Sequence, residues 1–219
     1  EVVHEKYLPV IKKRCEELLH DREVEALLFK YRHFWGDFWH YSDSHCWYGH
    51  EIRIIRNDPD IHSWESAQSF RRIPDFDGLN YRVQEGTHKL KAALVDAYIY
   101  HYGWVRPPEY MQKKSKAFYT SHKGRATEEK IYERQPQAFD YGPLNKLKEF
   151  KGSHPEVMKK WIEKFDWADR LQYEGSVNPG REKRYHEKFK NKFLTFIEQN
   201  LLGGMQIFTF HNYELLKGK

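Results

Sequence analysis

The sequence predicts an α/β fold, with a mixed sheet over residues 1–106 and a mainly helical C-terminal extension over residues 107–219. Three observations predict it. A helical apolar period is followed closely by a short apolar run, the rhythm of a helix joined to a buried strand. Strand-like apolar segments then recur as far as residue 102. After Arg106-Pro107-Pro108 the chain becomes charged and helical in composition, and the double Pro marks the change.

Residues 5–20 read as an amphipathic helix. Leu8, Ile11, Cys15, Leu18 and Leu19 recur at helical spacing, and Pro9 falls in the tolerant first turn. Val24 to Tyr31 is short and apolar and reads as a buried strand. Residues 33–50 show no regular period and are crowded with aromatics and His. Glu51 to Arg56 is a strand stopped by Asn57-Asp58-Pro59-Asp60, and Ile61 to Phe70 reads as a further single strand. Pro74 to Gly86 is a polar loop. Lys89 to Tyr102 is the strongest strand candidate, with Leu90, Ala92 and Leu94 followed by Ala97-Tyr98-Ile99-Tyr100. Residues 109–134 are helical in composition. Ser153-His154-Pro155-Glu156 has the form of a capping box, with a helix from Val157 to Phe165 behind it. Phe189 to Leu202 is the last helix, closed by Gly203-Gly204.

Composition narrows the class. The chain has 219 residues, with 37 Lys+Arg against 32 Asp+Glu and a net charge of +5. Hydrophobic residues are 39%, but aromatics reach 16%, which argues for a packed aromatic core and against disorder. No run approaches 18 apolar residues, and no basic segment leads an apolar one at the N-terminus. Two cysteines, Cys15 and Cys46, are too few for a disulfide scaffold, and a reducing cytoplasm is expected. Glycine-rich phosphate loops and the GxSxG elbow are absent from the sequence.

Several side-chain groups could carry chemistry. Of 13 His, five (His33, His40, His45, His50 and His62) fall within thirty residues, without HExxH or zinc-finger spacing. They read either as metal ligands or as rings stacked among Trp35, Trp39 and Trp47. His101 ends the long predicted strand, where ligands of open α/β sheets gather, and a neutral imidazole there can hold a divalent ion; a strand-end structural role is the plainer reading. Arg53, Arg56, Arg71 and Arg72 flank strand ends and suit phosphate, or make an ordinary solvated face. Residues 181–192 form the densest basic run. It suits an anionic membrane surface or, with interleaved aromatics, nucleic acid, though 32 acids dilute the charge and a solvated helix face is the commoner meaning of such a run.

Three blocks sharpen the reading: Glu1 to Glu5, Trp47 to Asn57, and Asp96 to Pro108. Together they resemble bacterial family-2 glycosyltransferases of the GT-A fold. Gly152 to Met158 is similar to the C-terminal extension of the same subgroup. The resemblance implies a partial GT-A-like sheet, with the metal-binding Asp and the nucleotide-binding half upstream of Glu1, so that this segment alone would be inactive. It implies inverting transfer of a sugar from a nucleotide-diphosphate donor to a glycan or lipid-linked acceptor hydroxyl, for cell-surface glycan or polysaccharide synthesis. A divalent metal, Mn²⁺ or Mg²⁺, would be held with His101 and Glu1. Arg53, Arg56, Gln68, Tyr102, Trp104 and Arg106 would bind donor or acceptor. Where many relatives place the catalytic base, this sequence has Gln68, which cannot take a proton. Glu65 is the nearest carboxylate, and Asp43 is the next candidate. The expected location is the cytoplasm, with peripheral contact at the inner membrane face and no nucleic-acid partner. The alternatives are a basic, aromatic-rich nucleic-acid-binding module and a non-catalytic relative that keeps only the GT-A fold.

Overall fold

The structure, a computed structural model, describes residues 1–123, 136–204 and 206–219, with the side chains of 66–68, 119 and 121–123 also outside the description. The elements run β1 (Val2–Val3), α1 (Leu8–Leu18), β2 (Ala26–Trp35), β3 (His40–Ser42), β4 (His50–Ile55), β5 (Ile61–Trp64), β6 (Ser66–Arg72), β7 (His88–Trp104), α2 (Pro108–Lys123), β8 (Lys148–Glu149), α3 (Lys159–Ile162), α4 (Phe189–Asn200) and β9 (Tyr213–Leu215). Parallel and antiparallel pairings both occur, so the α/β class and the mixed sheet are as expected.

The chain divides into two compact units that interleave along the sequence, where the sequence reading placed one boundary after residue 106. The first unit holds Glu1, residues 32–47 and residues 100–191. The second holds residues 2–31, 48–99 and 192–219. Both long strands, β2 and β7, contribute to each.

In the second unit, β2 pairs with β4 antiparallel, Ala26 opposite Ile55, with a bulge between Leu27 and Leu28. β5, β6 and β7 pair antiparallel in turn, and β9 lies parallel to β7 with Leu90 opposite Tyr213. Alternate residues of β2 and β7 bury on opposite faces. Leu27, Phe29, Val95 and Ala97 meet Ile11, Cys15 and Leu18 of α1; Ala26, Leu28, Leu90 and Ala92 meet Ile52 and Ile61. Two covered faces explain why β2 reads as a continuous apolar run.

Two arginines that suit phosphate or a solvated face from the sequence have their donors taken up within the protein. The Arg56 guanidinium donates to the carbonyls of Leu18, Leu19, Asp21 and Val24 at 2.6–3.0 Å, which satisfies the open end of α1 and ties it to β4. Arg72 is clamped by Glu25, Asp58 and Asp60 at 2.8–3.3 Å, and the Asp58 and Glu25 carboxylates push its pKa up.

In the first unit, Phe34 and His33 of β2 face Tyr41 and Ser42 of β3, and β3 pairs onward with β8. Trp35, Met111, Phe139, Tyr141 and Leu144 form its core.

Four local expectations change. Residues 61–70 are not one strand but the turn of a β5–β6 hairpin, reversed at Glu65 with φ of 56°. The region 33–50 contains the end of β2 and all of β3. The capping box does not form: the first turn after Pro155 is a 3-10 turn with no side-chain cap, and α3 spans just four residues. The extension is mainly helical neither in residues 136–188, where Pro143, Pro155, Pro179 and several Gly break up the chain on both sides of a short helix, nor overall among the described residues. The helix expected at 109–134 is found as α2, and residues 124–135 lie outside the described residues.

Candidate functional site

The first unit gathers the chemistry. Its aromatic frame is built where β2 and β7 end. The Trp35, Trp47 and Trp104 ring centroids lie 4.9–5.5 Å apart, with Trp35 Nε1 donating to the Tyr141 carbonyl at 3.0 Å. Phe34 has no exposure, and its ring stacks on Tyr102 at 4.7 Å. The Tyr102 hydroxyl is 2.7 Å from His154 Nδ1.

Against this frame sit two imidazoles. His33 and His101 approach with Nδ1 to Nδ1 at 2.9 Å, and the His33 ring tilts on Trp47 at 4.9 Å. Two nitrogens this close share one proton, one ring donating and the other accepting, or they turn two lone pairs to one cation. Gly103 makes room for the pair. On a strand, residues 101 and 103 project from the same face, and a Cβ at Gly103 would collide with the His101 ring. Gly103→Ala is therefore expected to displace His101 from His33 and lower stability by about 1–3 kcal/mol, as overpacking does. Histidine ¹⁵N NMR in the folded variant checks it: unchanged His33 and His101 signals would show that the ring has other room.

A second group stands on the turn after β2. Asp37 is fully buried, and its carboxylate accepts from the amides of Trp39 and His40 at 2.9 and 2.8 Å. It also meets His40 Nδ1 at 2.9–3.0 Å through both oxygens. The Tyr173 hydroxyl completes the set, and burial, with the Asp37 charge, pushes its pKa up to about 12. A carboxylate held on Nδ1 leaves Nε2 of His40 as the accepting nitrogen, the arrangement of an oriented proton acceptor. The His40 side chain is partly exposed, at 18%.

The residues expected from sequence are distributed as follows. His101, Tyr102, Trp104, Arg106 and Asp43 belong to the first unit, as does Glu1. Asp43 is ion-paired with Lys148 at 2.5 Å, and Arg106 is exposed while its carbonyl accepts from Tyr141. Glu65, Arg53 and Arg56 belong to the second unit. Glu65 is exposed and accepts from Gln84 at 3.1 Å, and the Arg53 guanidinium lies over Tyr31 at 5.1 Å. The side chain of Gln68 lies outside the described residues. Among the described residues no three His, Cys, Asp or Glu converge as a metal site.

Asp37, His154 and Tyr173 were not singled out as site residues in the sequence, and His40 stood there only in the histidine cluster read as metal ligands or stacked rings. The Asp37–His40 spacing is visible there, but the burial of Asp37 and the approach of Tyr173 are tertiary. No family model, curated protein or solved structure matches the chain.

Proposed function

We propose that this chain takes part in inverting transfer of a sugar from a nucleotide-diphosphate donor to an acceptor hydroxyl, in glycan synthesis beside the inner membrane face. The observation that carries the reading is the His33–His101 pair, set at the end of the longest strand among three indoles. Strand ends are where α/β sheets hold ligands, and indole faces offer apolar area with a polar edge, which suits a sugar ring. The resemblance at Trp47 to Asn57 and Asp96 to Pro108 supports the same reading.

A divalent ion belongs to it, and neutralising the departing diphosphate is the chemistry such an ion supplies. His101 and His33 would be its nitrogen ligands. Two protein nitrogens would leave the rest of the ion's shell to water and substrate phosphate oxygens. His40 is the proton acceptor assigned to the acceptor hydroxyl, oriented by Asp37. Asp43 and Glu65 are the carboxylate alternatives.

The test uses the natural full-length protein with a panel of nucleotide sugars and Mn²⁺ or Mg²⁺. Metal-dependent release of nucleoside diphosphate is expected, falling about 10- to 100-fold in His101→Ala. Unchanged release in that variant removes His101 from the site, and no release from any donor overturns the reading.

A further inference from the structure

We propose that Arg71, Lys89 and His211, with Asn212, form a binding site for a phosphoryl group. All four belong to the second unit. The proposal does not rest on glycosyl transfer, and its test reads binding alone.

Arg71 of β6 stands directly opposite Lys89 of β7 in the antiparallel ladder. Opposed residues project from the same face, and like charges so placed repel. Neither Arg71 nor Lys89 has a carboxylate in ion-pair contact among the described residues. The contrast with the next residue is sharp: Arg72, on the opposite face, holds three carboxylates.

Arg71 is also buried, with 8% exposure, and its Nε finds no acceptor. Its guanidinium lies over Trp64 at 4.4 Å and donates through Nη2 to Asn212 Oδ1 at a long 3.4 Å. Asn212 is held in turn by its bond to Ser69 Oγ at 2.7 Å. His211 adds a third basic group, and both burial and the Lys89 charge hold its pKa below the ordinary value. Glu65 acts on Arg71 through space, but it is exposed and bonded to Gln84.

A buried guanidinium without a counter-ion is unfavourable, and an anion relieves it. Guanidinium, ammonium, imidazole and amide together offer more donors than one carboxylate can use. A phosphoryl group, with three terminal oxygens, matches them. Lys89 Nζ lies 4.6 Å over the Phe210 ring, and Phe208 and Phe210, just before His211 in the chain, are 90% and 72% exposed. Such a rim suits a phosphate carried on a lipid, whereas a free phosphate or diphosphate needs the polar groups alone.

Thermal melts with inorganic phosphate and with pyrophosphate, at ionic strength matched by KCl, test the free source. Flotation with phosphatidylcholine vesicles, with and without phosphatidic acid, tests the lipid source. At ligand near a hundred times Kd, Tm is expected to rise by about 5 °C, or protein is expected to float with phosphatidic acid vesicles alone. Whichever source is recognised, Lys89→Gln and Arg71→Gln are expected to abolish the response. Lys89→Gln without ligand should melt no lower than the parent, because it removes a repulsion, so its loss of response does not report misfolding. Absence of any response to both sources, or a response retained in folded Lys89→Gln, overturns the proposal.

Discussion

Phe34→Ala is expected to lower stability by about 4 kcal/mol, the range for emptying a buried aromatic position. Phe34 has no exposure, and its ring is stacked on Tyr102 with an interplanar angle of 10°. It also meets Phe150 edge-on at 5.1 Å, Tyr100 at 5.6 Å and His154 at 5.2 Å. Four rings that each lose a partner cannot all close on the space. The corresponding fall in Tm is about 10 °C for a chain of this size, readable by near-ultraviolet circular dichroism. Phe34→Leu should retain most of the stability yet still free the Tyr102 ring, which separates packing from positioning. A melt within a degree or two of the parent for Phe34→Ala would mean that the aromatic frame repacks at no penalty.

The second large effect is expected at Glu187→Ala, at about 3 kcal/mol. Glu187 is buried and takes both arms of Arg181 at 2.7 Å, along with the Arg184 amide at 2.7 Å. Arg181 also reaches Asp140 at 2.9 Å, and the Arg184 guanidinium lies over the Phe139 ring at 3.9 Å. Truncation leaves Arg181 and Arg184 close together with their central carboxylate gone. The same cluster sets a pH dependence. Burial raises the Glu187 pKa, but Arg181 and the Arg184 amide outweigh it, so the pKa lies below its ordinary value. The unfolded chain therefore takes up this proton first as pH falls. The stabilisation is fully present above the ordinary carboxylate pKa of about 4.3 and is lost as pH falls through the lower folded value. Denaturant midpoints measured from pH 7 down to pH 3 should fall less steeply for Glu187→Gln than for the parent. Parallel curves would remove Glu187 from the acid response.

Legibility in the sequence followed the range of the interactions. α1, β4, β7 and α4 were readable because each is specified by its own apolar period. The hairpin at Glu65 was not, because the reversal uses a positive φ at a Glu, without the Gly or Asn that usually advertises such a turn. His101 stood out by its place on β7, but its partner His33 lies 68 positions away, and nothing local couples them. Arg56 and Arg72 show the reverse case. Arginine on a strand end suits phosphate equally well whether its donors are free or already taken. Only the folded chain reveals four backbone carbonyls on one and three carboxylates on the other.

The parallel seating of β9 against Leu90–Ala92 has a consequence for synthesis. The two strands are separated by 123 positions, from Leu90 to Tyr213. At about 5–20 residues per second, roughly 6–25 s pass between the emergence of one and the arrival of the other. Through that interval this stretch of β7 lacks its partner from β9, and its backbone is a template for foreign strands. A nascent chain halted before residue 213 should therefore be the most aggregation-prone species on its assembly path, and the one most dependent on a chaperone.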